Sequence, residues 1–239
     1  MNRRDFSKTA GLVAAAAVVA PKIMAEDSAS KSEFFDYYEK LNGSVRVYYD
    51  ADVEPGYDYV IGIYAGGGLN EPAFVSVWRK GQDGTPLVQA VEYEYRGPAS
   101  ANGWLLNDCV ALGKKFGKYL PNGPLFSIEQ IVSSGGDLLL YQLKYEGFLR
   151  HHKTKAYRRP KGEPKEGWYS TSWSKPIAIE RFLTAYKEKN IVANSGLLRK
   201  DIAGAEWDGK KLLLPSGNDN RFMAAAIAVN SFLETDQEV

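Results

Sequence analysis

The sequence predicts an α+β fold: an antiparallel sheet, curved or barrel-like, packed around a buried C-terminal helix, with two or three further helices. Three observations carry this expectation. Between Val45 and Arg96, four runs rich in β-branched and aromatic residues follow one another across short turns containing Gly or Pro. Segments with helical spacing lie at 105–120 and 177–190. Finally, Phe222-Met223-Ala224-Ala225-Ala226-Ile227-Ala228-Val229 is apolar on every side. A helix without a polar stripe is enclosed all round, and this run is too short to cross a bilayer.

In chain order, Ser32 is placed to cap a short helix over 33–41, with Phe34, Phe35, Tyr38 and Leu41 on its apolar side; Asn42-Gly43 ends it. Strands are expected at 45–49, 57–64, 73–80 and 87–96. Glu54-Pro55-Gly56, Gly66-Gly67-Gly68 and Gly81-Gln82-Asp83-Gly84 separate them. Within the last strand, Val91, Tyr93 and Tyr95 alternate with Glu92, Glu94 and Arg96. That alternation predicts an antiparallel meander with one apolar and one solvated face. Gly97-Pro98 breaks it. A helix over 105–120 follows, with Leu105, Cys109, Leu112 and Phe116 in register; Gly113 and Gly117 weaken it. Two more strands are expected at 137–145 and 148–157, and a charged, Pro-containing loop over 158–167 leads to 168–173. Ser174-Lys175-Pro176 reads as the start of a helix over 177–190. Trp207-Asp208-Gly209-Lys210 is a hairpin signal before 212–214, and Asp219 is placed to cap the last helix.

Cys109 is the only cysteine, so no disulfide forms within the chain, and its apolar flank predicts a packed core thiol. No Cys-x-x-Cys-His occurs, which excludes covalent haem attachment. One Cys and two His exclude an all-Cys iron–sulfur cluster and a Cys/His zinc site. The nucleophile elbow, the phosphate-binding loop and the dinucleotide fingerprint are absent too. A non-covalent flavin or a carboxylate-bound cation stays open. The glycines at 66–68 precede Pro72 and a strand rather than a helix, so they read as a turn. His151 and His152 are neighbours on an expected strand and point to opposite faces, so no shared metal site is expected. Both read as surface residues, or one as an acid or base. Glu92 and Glu94 are close enough for acid–base work, although acids on a solvated sheet face are commoner.

The strongest site candidate is a basic and aromatic stretch. Residues 144–165 hold eight basic residues against Glu146 and Glu163 alone. Tyr145, Phe148 and Tyr157 lie among them, and Trp168, Tyr169 and Trp173 follow. The candidate binding residues are Arg150, His152, Lys153, Lys155, Tyr157, Arg158, Arg159 and Trp168. Arginine beside aromatics suits an anionic or sugar-like ligand, or a protein partner. A charged, solvated ribbon is the plain alternative.

The chain opens Asn2-Arg3-Arg4-Asp5-Phe6-Ser7-Lys8, followed by an apolar stretch over 10–20, Pro21-Lys22, and Ile23-Met24-Ala25. With its key residues Arg3, Arg4 and Phe6, this segment resembles a bacterial twin-arginine (Tat) export signal. Asn2 stands where the pattern has Ser or Thr, and Ser7 where it has Leu. The resemblance implies a signal peptide over 1–25 cleaved near Ala25, a single domain over 26–239, passage through the Tat translocase already folded, and a periplasmic location. Chains take that route because they load a cofactor in the cytoplasm or travel with a partner that does. Residues 1–25 hold Arg3, Arg4, Lys8, Lys22 and Asp5, so 26 basic and 28 acidic residues remain of 30 and 29. That balance argues against a nucleic-acid partner, and no transmembrane helix is expected in the mature chain. Two functions follow as expectations. The first is an exported accessory or binding protein, the non-catalytic partner of an exported oxidoreductase. The second is an envelope hydrolase acting on an anionic or glycan substrate.

Overall fold

The computed structural model describes residues 41–47, 53, 55–66, 71–80, 84–96, 102–130, 135–154, 165–207, 212–217 and 219–235. Arg3, Arg4 and Phe6 lie outside the described residues, as do the expected helix over 33–41 except Leu41, and Lys155, Tyr157, Arg158 and Arg159.

The sheet is built from β1 (Ser44–Val47), β2 (Asp58–Tyr64), β3 (Ala73–Lys80), β4 (Leu87–Tyr95), β5 (Leu125–Ile128) and β8 (Ile191–Val192). Two small ribbons stand apart: β6 (Lys153–Thr154) with β7 (Lys165–Glu166), and β9 (Glu206–Trp207) with β10 (Leu212–Leu213). The helices are α1 (Asn102–Phe116), α2 (Gly136–Tyr145), α3 (Ser174–Lys187), α4 (Gly196–Ala203) and α5 (Asn220–Thr235).

The strand order is β1-β4-β3-β2-β5, with β8 also on the outer edge of β4. The meander β2–β3–β4 is antiparallel, as expected; β1 pairs antiparallel with β4 rather than with its chain neighbour β2, and β2–β5 and β4–β8 are parallel. Among the described residues the sheet stays open, which corrects the barrel-like expectation. α5 is enclosed in a different way: it lies on one face of the sheet and is roofed by α3 and α4.

Strand alternation sorts the core into two layers. Tyr59, Ile61, Ile63, Val75, Val77, Val91, Tyr93 and Tyr95 face α1 and α2. Val60, Phe74 and Trp78 face α3, α4 and α5. Both faces of the meander are therefore covered, so the expected solvated face is absent: Glu92 and Glu94 are buried. Residues Phe222 to Val229 are all fully enclosed, as the apolar run predicted. The helix approaches β2 at Gly62, where a Cβ would lie 2.2 Å from the Ala224 carbonyl oxygen. Glycine on the strand and alanines on the helix set that short separation. Within the core, Asn230 Nδ2 donates to Ala178 O and Ala226 O, Ser231 Oγ donates to Ile227 O, and the Ser231 and Ser127 hydroxyls bond each other at 2.7 Å.

Three local readings change. The segment expected as a strand over 137–145 is helix α2, in which Leu139 and Leu143 are buried one turn apart. The run expected as a strand over 148–157 is, where described, a two-residue strand preceded by an edge bridge from His151 to Phe126. The sequence reading also missed α4, whose cap is Ser195: its hydroxyl accepts from Leu198 N. With α4, the described residues hold four helices besides α5, where two or three were expected.

Candidate functional site

The ribbon candidates divide into an anchored base and an exposed leg. Arg150 Nη1 and Nη2 each lie 2.6 Å from an Asp58 oxygen, and Nη1 also donates to Gly123 O. This two-point ion pair ties the ribbon's entry to the start of β2. His151 and His152 do point to opposite sides. The His151 ring lies 6.0 Å from that of Phe126, with Nε2 2.8 Å from Phe148 O; the His152 ring stacks 5.4 Å from that of Trp168. Both imidazoles are buried, which corrects the expectation of surface histidines; burial lowers the His151 pKa. Trp168 is buried as well. Arg150, His152 and Trp168 thus hold the base of the ribbon, and Lys153 is exposed on its leg, opposite Glu166.

Beside the ribbon lies a surface that the sequence reading missed. Leu138, Tyr141, Tyr145 and Leu149 are 47%, 69%, 85% and 70% exposed. Three- and four-residue steps put the first three on one face of α2, and Leu149 follows just beyond its end. The opposite face is fixed by Leu139 and Leu143. Gly136 sits so close to the chain after β5 that a Cβ would fall 2.1 Å from the Glu129 carbonyl oxygen. Lys144 Nζ bonds Glu166 at 2.7 Å, so this face and the ribbon are continuous. The signal in the sequence was the four-residue step from Leu139 to Leu143, hidden by the strand-like run Leu138-Leu139-Leu140.

Glu129, directly after β5, is enclosed. The Ser170 hydroxyl donates to its Oε1, while Oε2 has no hydrogen-bond partner among the described residues. Burial pushes its pKa up to about 7, helped by Asp219 and opposed by the Ser170 bond and by Lys175. Lys175 is itself paired with Asp219 at 2.6 Å. Tyr64 is raised by burial first and then by the Glu129 charge. Nothing in the sequence marked Glu129 beyond a lone acid ending the run Leu125-Phe126-Ser127-Ile128.

Glu92 and Glu94 belong to a third cluster. Arg221 Nε lies 3.2 Å from Glu92 Oε1, and its guanidinium lies 3.8 Å from both Glu94 and Asp201. Arg46 adds a 2.8 Å contact to Glu92, and the Arg221 guanidinium packs 4.8 Å from the Phe74 ring centre. The carboxylates neutralise Arg221 and pin α4 and α5 to β4. Cys109 is fully buried, in the core position expected of it, and burial pushes its thiol pKa up. Among the described residues, no group of three or more His, Cys, Asp or Glu side chains is arranged to hold a metal, and no helix is long and apolar enough to cross a membrane.

No protein-family model and no curated protein sequence matches the chain.

Proposed function

We propose that this chain is an exported accessory protein that docks on a partner protein through the outer face of α2 and the adjoining ribbon. One observation carries the reading: two tyrosines and two leucines stand exposed together on one helix and the turn after it, next to a basic ribbon. A grouped apolar patch marks a contact site, and tyrosine is enriched in interface centres. The export half rests on the Arg3-Arg4-Asp5-Phe6 pattern. A chain that lacks covalent cofactor motifs yet carries a folded-export signal suits the companion of a cofactor-loaded oxidoreductase subunit. Purification of the native protein from an envelope extract is expected to bring a partner chain with it. Tyr141→Ser with Tyr145→Ser is expected to release that partner and leave the melting temperature unchanged. A partnerless monomer in the wild-type extract overturns the reading.

Glu129 favours a second reading, the envelope hydrolase. A carboxyl group titrating near neutrality suits a general acid or base. Because Glu129 is enclosed, a substrate would reach it only if the segment carrying Trp168 and Ser170 moved aside. Under this reading Glu129→Gln removes activity in a screen of glycans and phosphate esters; under the docking reading it leaves partner binding intact.

A further inference from the structure

We infer that Ser170 and Glu129 form a nucleophile–base pair, and that the group they act on is an uncharged carboxylic ester. This rests on the hydrolase reading of Glu129 and supplies its nucleophile and its substrate class.

Three elements bring the pair together. Glu129 directly follows β5; its N–H donates to Ile63 O at 2.9 Å, and it bridges to Trp168. β2 and β5 run parallel here, so the site lies beyond the carboxyl ends of two parallel strands. Open sheets commonly bind ligands there. Ser170 is held from the other side by the turn into α3. Thr171 N donates to Ser174 Oγ, Trp173 N and Ser174 N donate to Thr171 Oγ1, and Ser174 Oγ donates to Tyr169 O. Backbone fixed in this way presents the Ser170 hydroxyl in one place, as a nucleophile requires.

The order of burial decides which residue meets a substrate. Glu129 is 0% exposed, whereas Ser170 is half-buried and donates its hydroxyl hydrogen to the carboxylate. The serine therefore fronts the carboxyl group. A substrate that Glu129 touched directly would have to displace the segment carrying Ser170; a substrate attacked by Ser170 Oγ would not. Glu129 Oε2 points the same way. An enclosed carboxyl oxygen with no hydrogen-bond partner among the described residues destabilises a fold, and catalysis is one use that retains such a group.

The chemistry balances without a further reactant. Glu129 takes the Ser170 proton as Oγ attacks the ester carbonyl carbon. The carbon–oxygen bond to the leaving group breaks, and Glu129 passes the proton to the departing alkoxide. Water then attacks the acyl-serine with Glu129 as base. The carboxylic acid leaves, and the proton returns to Ser170 Oγ. The α3 N-terminus, four residues after Ser170, and the Lys175 ammonium supply positive charge for the carbonyl oxygen during attack.

Local charge selects the substrate. Glu129, Asp219 and Glu71 all act on the Tyr64 hydroxyl, while Lys175, the cation acting on Glu129, is paired with Asp219 at 2.6 Å. Acidic groups outnumber the cation, so a phosphate or carboxylate substrate is repelled and an uncharged one is not. Trp173, exposed on the same turn as Ser170, offers apolar surface to an acyl chain.

The test treats the full chain with p-nitrophenyl butyrate and, separately, with a fluorophosphonate probe. The wild type is expected to release p-nitrophenolate in a burst. Peptide mapping after acid quench is expected to place the butyryl group, and in the second reaction the phosphonyl group, on Ser170. The labelling rate is expected to rise with pH through about 7 as Glu129 ionises. Glu129→Gln is expected to slow labelling roughly 100- to 10,000-fold and to remove that rise. Ser170→Ala is expected to take neither label; the wild-type mapping decides the matter even where that variant fails to fold. A wild type unlabelled at Ser170 overturns the inference, as does labelling indifferent to both pH and Glu129→Gln. If a glycan or phosphate ester is cleaved by the wild type and by Ser170→Ala but not by Glu129→Gln, the hydrolase reading stands and this inference fails. If the wild type takes no label and turns over no ester, glycan or phosphate ester, both fail.

Discussion

At the scale of single residues, burial changes what a charge does. Arg221 is the cation shared by Glu92, Glu94 and Asp201, all three buried. Removing Arg221 takes from three buried carboxylates their most buried cation, leaving Glu92 with Arg46 and Glu94 with Arg96, both more exposed, which is costlier than losing a surface pair. Arg221→Met is expected to destabilise the fold by about 3–5 kcal/mol in urea denaturation, and Glu92→Gln is expected to restore part of the loss in the double variant. Glu129 acts in the opposite sense. Its folded pKa is raised from 4.5 to about 7, so the folded state holds a proton that the unfolded chain releases. Its contribution is fully present below about pH 4.5 and is lost as pH rises through 7. Measured from pH 5 to pH 8, the wild type is expected to lose roughly 3 kcal/mol that Glu129→Gln does not lose. Parallel pH profiles for the two proteins would contradict this. Neither residue's role was legible beforehand. Arg221 reads as an ordinary helix charge, and Glu129 as the polar end of an apolar run.

At the scale of elements, the contact between α5 and β2 shows how small residues decide packing. Gly62 faces the Ala224 carbonyl and Ala228 with no room for a methyl group. Gly62→Ala is expected to push the helix off the sheet and cost about 2 kcal/mol or more, read from the shift in melting temperature. The strands β2, β3 and β4 were legible because β-branched and aromatic residues alternate along them between clear turn signals. Helix α2 was not. Leu138-Leu139-Leu140 is a short apolar run that suits either state. Packing into the core layer shared with α1 selects the helix by taking in Leu139 and Leu143 and leaving Tyr141 and Tyr145 outside. The same choice created the candidate surface, so misreading the element concealed the site. The basic stretch beside it was legible from charge alone. The anchoring of Arg150 by Asp58 was not, since 92 residues separate the two.

At the scale of the whole molecule, one sheet serves two cores: α1 and α2 on one side, and α3, α4 and α5 on the other. Enclosing α5 completely requires distant parts of the chain to be in place together. That is compatible with the proposed export after folding, for which the opening Arg3-Arg4 pattern is the proposed signal. Arg3→Lys with Arg4→Lys is expected to hold the protein in the cytoplasm, scored by fractionation of cells expressing the full chain. Unchanged secretion of that variant would remove the export half of the proposed function.

The sequence alone determined the α+β class, the antiparallel meander, the enclosed C-terminal helix and the concentration of positive charge over 144–165. These are local properties, written in the period of apolar residues, in turn chemistry and in composition. Only the tertiary structure decided that the sheet is covered on both faces, that Glu92, Glu94 and Glu129 are enclosed, and that α2 is a helix with an exposed aromatic face. Each of those depends on which distant segment comes to lie against which. Burial and strand register are set by such neighbours, and residue order along the chain does not carry them.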